Sequence, residues 1–223
     1  MKVLAPCELD KDSYASIIFD AMKQLSVNWH LVTDSESDDD KPVLERNYVI
    51  SLVFQMGKNT KDDSNFGTNV FPSGENNKYI CENLNEIDKT YTDLYEKKLI
   101  RPFEVIPDLV IHASHNPNAG RSNSQYVAIE AKTTKTIGKI AFMRDFFKLN
   151  VYLCSLNFEN VIYLVVNTSK DRLEKLIHQY FENDFFYQKE KLGNLLLLIQ
   201  EDKNSSPCTF KLDEKYIETI KSI

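Results

Sequence analysis

The chain begins with a helical period. Tyr14, Ile17, Ile18, Ala21, Met22 and Leu25 recur at the spacing of one helix face, which predicts a helix capped by Asp10 and running to about Leu25. An acidic connector follows, "DSESDDDKP" (34–42), and Asp40 and Pro42 then mark the start of a second helix, "VLERNYVISLVFQM". Residues 57–78 are polar and rich in Gly and Asn, the composition of a long loop. Leu84, Ile87, Tyr91 and Leu94 place a third helix over about 82–98. Beyond it the pattern changes to apolar runs at 103–113 and 125–133, predicting two strands joined by the polar loop "SHNPNAGRSNS". A helix is predicted over about 138–154. "VIYLVV" (161–166) reads as a strand buried on both faces. Residues 169–182 read as a further helix, "LLLLI" (195–199) and "CTFKL" (208–212) as late strands, and the last ten residues as helical. Helices, then β-β-α-β, then more α and β make an α/β fold with a mixed central β-sheet flanked by helices. The 223 residues suit a single domain, 1–223.

Two of the apolar runs carry charges that a buried strand should not hold. They are "YVAIEAKTT" (126–134), with Glu130 and Lys132, and "EVIPDLVIH" (104–112), with Asp108. Side chains alternate across a strand, so Tyr126, Ala128, Glu130 and Lys132 share one face, and Val127, Ile129 and Ala131 share an apolar face fit to pack on a helix. Asp108 shares its face with Ile106 and Val110. If the two strands pair as a hairpin, Asp108 meets Glu130 and Lys132 at one edge of the sheet. Buried charges are costly unless paired or bound to a metal. Two carboxylates held together repel, and a divalent cation with all-oxygen ligation, such as Mg²⁺, relieves the repulsion. The alternative is an ion pair of Lys132 with Glu130 or Asp108 that ties the sheet end together.

Composition narrows the setting. Hydrophobic content of 42% and charged content of 27% belong to an ordinary globular chain. No window approaches ~18 uninterrupted apolar residues, so no transmembrane helix and no membrane partner are expected. The N-terminus "MKVLAPCELDKDS" lacks a signal-peptide apolar stretch, so a cytoplasmic location is expected. Cys7, Cys81, Cys154 and Cys208 are scattered and are expected as reduced thiols, and the isolated pair His112 and His115 gives little support for zinc. The net charge of −6 argues against nonspecific coating of nucleic acid. Yet residues 97–149 hold nine Lys/Arg against four Asp/Glu, so the basic excess surrounds the two charged strands.

Pro107-Asp108 followed by Glu130-Ala131-Lys132 resembles the paired half-motifs of the PD-(D/E)xK nuclease superfamily, the restriction-endonuclease-like fold. The resemblance implies an αβββαβ core over about 42–166, with an N-terminal helical extension (1–41) and a C-terminal α/β extension (167–223). Glu45, near the start of the second helix beside Val49, Leu52 and Met56, matches the carboxylate that many members place on the first core helix. The alternative is that Glu45 complements that helix's N-terminus. "RDFFKLNVY" is similar to the Gln-x-x-x-Tyr element of the RecB-like branch, with Lys148 standing where that branch has Gln and Tyr152 where it has Tyr.

What the resemblance implies is a Mg²⁺-dependent endonuclease hydrolysing DNA phosphodiester bonds, of restriction or defence type, with Mn²⁺ able to substitute. Asp108, Glu130 and the Ala131 carbonyl would hold the metal, and Glu45 a second one. Lys132 would orient the attacking water. Arg144, Lys148, Tyr152 and Lys135 would meet DNA, against the plain reading of Arg144 and Lys148 as a solvated helix face. A homodimer or a partner subunit is compatible. The competing expectations are a non-catalytic nuclease-fold subunit that binds DNA or a protein partner, and an unrelated α/β protein carrying a chance motif.

Overall fold

The computed structural model describes residues 3–11, 13–27, 45–59, 70–74, 78–79, 84–100, 104–113, 125–212 and 214–221. It is a mixed α/β fold. The described helices are α1 (Tyr14–Val27), α2 (Glu45–Asn59), α3 (Leu84–Glu96), α4 (Lys139–Cys154), α5 (Lys170–Glu182) and α6 (Glu214–Lys221). The strands are β1 (Leu4–Pro6), β2 (Val70–Gly74), β3 (Lys78–Tyr79), β4 (Glu104–Val105), β5 (Leu109–Ala113), β6 (Gln125–Lys132), β7 (Asn160–Val166), β8 (Leu195–Gln200) and β9 (Cys208–Leu212). Seven strands form one sheet in the order β1-β9-β8-β7-β6-β5-β2, while β3 and β4 pair separately.

Strands β6, β7 and β8 are parallel, linked through α4 and α5, and the remaining neighbours in the sheet are antiparallel. Their period-2 alternation divides the core into two layers. Val161, Tyr163 and Val165 face the cluster built with α4 and α5. Ile162, Leu164 and Val166 face the cluster built with α1 and α2. Burial on both faces explains why β7 reads as an unbroken apolar run. Helix α1 buries Ile18, Ala21, Met22 and Leu25 as its spacing predicts.

Local differences from the sequence reading have local causes. The α1 cap is Ser13, whose Oγ accepts the Ser16 N–H at 3.2 Å, rather than Asp10. Strand β2 lies inside the segment read as a loop. It is an edge strand of the sheet, the kind of strand in which a Pro such as Pro72 is tolerated. The predicted strand 103–113 is broken at Pro107 into β4 and β5, which belong to different sheets. Strand β1 was not expected. It is three residues long and exists by pairing with β9, Leu4 opposite Leu212. Tyr126 does not share the face of Ala128, because a bulge at Ile111/His112 shifts the β5–β6 register. Its ring packs instead on Tyr14 of α1, with centroids 5.0 Å apart.

Cys7, Cys154 and Cys208 are free thiols. Among the described residues no helix is long and apolar enough to cross a membrane. The start signals Asp40 and Pro42, and His115, Cys81 and the loop 114–124, lie outside the described residues.

Candidate active site

Antiparallel pairing of β5 with β6 sets Leu109 opposite Ile129, which brings Asp108 beside Glu130. Asp108 is latched there. Its N–H donates to the Ile129 carbonyl at 3.1 Å, and its Oδ2 accepts the Ala131 N–H at 2.8 Å. The place is the carboxyl end of the parallel strands, where open α/β sheets present their ligand sites.

Glu130 is only 1% exposed, so both of its oxygens need donors. Tyr152 Oη donates to Oε1 at 2.7 Å, and Lys148 Nζ meets Oε2 at 2.5 Å. Both donors come from α4, one helical turn apart. Lys148 Nζ also donates to the Ile106 carbonyl at 2.9 Å, tying α4 to the chain just before Asp108.

Lys132, the last residue of β6, reaches a different pair of carboxylates. Its Nζ donates to both Glu45 oxygens, at 3.0 and 2.9 Å, and stands 3.4 Å from Asp145 Oδ2. Glu45 opens the first turn of α2, so it serves the helix N-terminus and Lys132 together. Asp145 on α4 is fully buried. Its Oδ1 accepts Arg144 Nε at 3.0 Å, while Oδ2 has the Lys132 charge nearby and no hydrogen-bond donor among the described residues. Tyr163, the cross-strand neighbour of Glu130, buries a hydroxyl that likewise lacks a hydrogen-bond partner among the described residues.

Burial dominates the electrostatics. It pushes the Glu130 carboxyl up to about 8, opposed by Lys148 and reinforced by Asp108 and Asp145. Burial also raises Asp108, against the pull of Lys148 and of the Ala131 N–H, and raises Glu45 against the pull of Lys132. For Lys132, burial works against the ammonium, but Asp145, Glu45 and Asp108 outweigh it and raise its pKa.

Asp108, Glu130, Ala131 and Lys132 therefore lie together, and Glu45 joins them through Lys132. Glu45 stands there with both oxygens taken by Lys132. The expected DNA-facing set divides. Tyr152 is fully buried against Glu130, so it cannot meet DNA directly as expected of it; it orients a carboxylate instead. Lys148 is turned inward, its side chain 12% exposed, and is not part of a solvated helix face. Arg144 keeps 31% of its side chain exposed. Lys135 lies exposed in the turn after β6. That turn is held by Thr168 Oγ1 on the Thr134 carbonyl at 2.5 Å and by Arg172 on the Ile137 carbonyl at 3.2 and 3.0 Å.

Asp145 and Tyr163 were missed from sequence. Asp145 had a signal: with Phe142, Leu149 and Tyr152 it falls on one apolar stripe of α4, where a lone acid needs a partner. Tyr163 had none, since a Tyr within an apolar strand reads as core. As the side chains stand, among the described residues no three His, Cys, Asp or Glu groups are gathered to hold a metal ion. The lysines already lie against the carboxylates. No family model, curated protein or solved structure matches the chain.

Proposed function

We propose that the chain is a divalent-cation-dependent endonuclease that hydrolyses DNA phosphodiester bonds, of restriction or defence type, on a PD-(D/E)xK-like core. One observation carries the reading: Asp108, just before β5, and Glu130 and Lys132 of the neighbouring β6 converge at the carboxyl end of the parallel strands with Glu45 of α2 beside them. The order α2, β2, β5, β6, α4, β7, interrupted between β2 and β5 by β3, α3 and β4, with β5 antiparallel to both its neighbours and β6 parallel to β7, supports it. The donors fit a hard cation. Asp108, Glu130 and the Ala131 carbonyl offer oxygen alone, the chemistry that suits Mg²⁺ or Mn²⁺. When bound, such a cation polarises a phosphoryl oxygen and lowers the pKa of a bound water.

The remaining work falls to the chain. Lys132, held between Glu45 and Asp145, sets its ammonium where it can orient the attacking water and offset charge growing on the phosphate. Tyr152 fixes one oxygen of Glu130 so that the carboxylate cannot rotate freely. Arg144 and Lys135 supply positive charge for neighbouring phosphates, contacts that position DNA without reading its sequence.

One observation favours a second reading, a non-catalytic subunit of the same fold that binds DNA or a protein partner. Asp108, Glu130, Glu45 and Asp145 all already lie against a cation or an N–H group within the chain. Cleavage of supercoiled plasmid in Mg²⁺ separates the two. The nuclease reading expects nicked and linear products from the wild type and none from Asp108→Ala. Equal residual cutting by both proteins, or none by the wild type in Mg²⁺ or Mn²⁺, would overturn it.

A further inference from the structure

The short contact between Lys148 and Glu130 asks for an explanation that the nuclease reading does not supply. A lysine meant to hold DNA should reach solvent. This one has a side chain only 12% exposed, with its ammonium 2.5 Å from Glu130 Oε2 and 2.9 Å from the Ile106 carbonyl. Glu130 is itself buried and takes its other oxygen's hydrogen bond from Tyr152. A carboxylate in that position is costly unless a positive charge lies on it. For the ionised form of Glu130 that charge is Lys148.

We propose that Lys148 is the resident counter-ion of Glu130, so that a divalent cation binds at this carboxylate by displacing the Lys148 ammonium from it. The idea rests on the metal-site reading of Asp108 and Glu130 and deepens it. The cation and the ammonium compete for one oxygen. The cation-free site is kept folded by the lysine, and the released ammonium, on a four-carbon stem, becomes available to a phosphate. Displacement gives the lysine in "RDFFKLNVY" a task that a neutral Gln at the same position would not perform. Gln can hydrogen-bond Glu130 but cannot balance its charge.

Competition of this kind is visible in binding, apart from any cleavage. Mn²⁺ affinity is measured by calorimetry for the wild type, Lys148→Gln, Lys148→Arg, Arg144→Gln and the Asp108→Ala/Glu130→Ala double variant. Removing the competing charge should tighten Mn²⁺ binding by Lys148→Gln at least ~10-fold, since a first ligand that must be displaced weakens the second by the same coupling. Lys148→Arg, which keeps the charge, should stay near the wild type. Arg144→Gln removes a charge of the same cluster that does not touch Glu130, and should gain no more than about a third of that effect on a logarithmic scale. An unchanged or weaker affinity in Lys148→Gln, or an equal gain in Arg144→Gln, overturns the inference and leaves the metal site standing. If the wild type binds no Mn²⁺, or the double variant binds it equally well, the metal-site reading fails and the inference falls with it.

Should Lys148→Gln not fold, the wild type alone still decides. Acetylation of Lys148 by an amine-reactive reagent, followed by mass spectrometry, should speed up when saturating Mn²⁺ frees the ammonium. A rate that Mn²⁺ leaves unchanged overturns the displacement.

Discussion

Glu130 should leave a measurable mark on stability against pH. In the folded protein its carboxyl is pushed up to about 8 by burial, whereas an ordinary glutamate titrates near 4.5. Between those values the folded state holds a proton that the unfolded state has released. Stability contributed by this group is therefore complete below about 4.5 and declines as pH rises toward 8. At ~1.4 kcal/mol per pH unit for one proton, the three units from pH 5 to pH 8 set a ceiling of about 4 kcal/mol over that range. Neighbouring charges broaden the titration, so about 2 kcal/mol is expected between pH 5 and 8. Asp108 and Glu45 are raised too and pull the same way, so the wild-type curve alone does not isolate Glu130. The difference from Glu130→Gln does. At pH 5 the protonated acid and the amide are close equivalents, each able to accept from Tyr152 and each leaving Lys148 with a neutral neighbour. At pH 8 they differ by a charge. Urea unfolding in EDTA at pH 5, 6, 7 and 8 should show the wild type losing stability faster than the variant. Parallel curves for the two proteins would refute the reasoning, because Glu130 would then titrate alike folded and unfolded.

Three further outcomes follow from the same geometry. Asp145→Ala removes the partner shared by Arg144 and Lys132 and should cost about 3–5 kcal/mol in urea unfolding, the range for breaking a buried ion pair from one side; a loss below about 0.5 kcal/mol would mark the site as solvated. Lys132→Ala should lower the cleavage rate by at least ~100-fold while DNA affinity in Ca²⁺ changes little, because its contact matters in the transition state; near wild-type cutting would remove it from the chemistry. Arg144→Ala should weaken binding to all DNA sequences alike in Ca²⁺ and reduce the salt slope by about one; an unchanged slope would move the phosphate contacts elsewhere.

The sheet was legible where its physics is local. An unbroken apolar run can only be a strand covered on both faces or a buried helix, and the length of 161–166 selects the strand that β7 is. Strands that exist by pairing were not legible. Leu4–Pro6 and Val70–Gly74 each hold a Pro and few apolar residues, and they become strands only because β9 and β5 offer free edges. The split at Pro107 was available in the sequence, since Pro lacks the N–H that a continuous strand needs. The bulge at Ile111/His112 was not, because nothing in either strand alone sets their mutual register.

The site divides along the same line, and for Lys148 the reason is specific. The i, i+4 relation of Arg144 and Lys148 correctly puts both on one side of α4, but spacing identifies a solvent face only on a helix that has a broad one. Here ten of the residues from Phe142 to Leu153 are buried, so a polar residue on α4 most often points into the protein. Glu130 and Lys132 could be seen as misplaced charges from two strands alone, yet their partners come from α2 and α4, far apart in sequence. With those helices in place, four carboxylates (Glu45, Asp108, Glu130, Asp145) stand among three cations (Lys132, Arg144, Lys148). Fully ionised, the cluster is one negative charge in excess, and burial pushes the Glu130 carboxyl up against the pull of Lys148. A strand can carry such charges because none is buried alone. The same near-balance means that a divalent cation arriving here either displaces a positive charge or brings a phosphate with it.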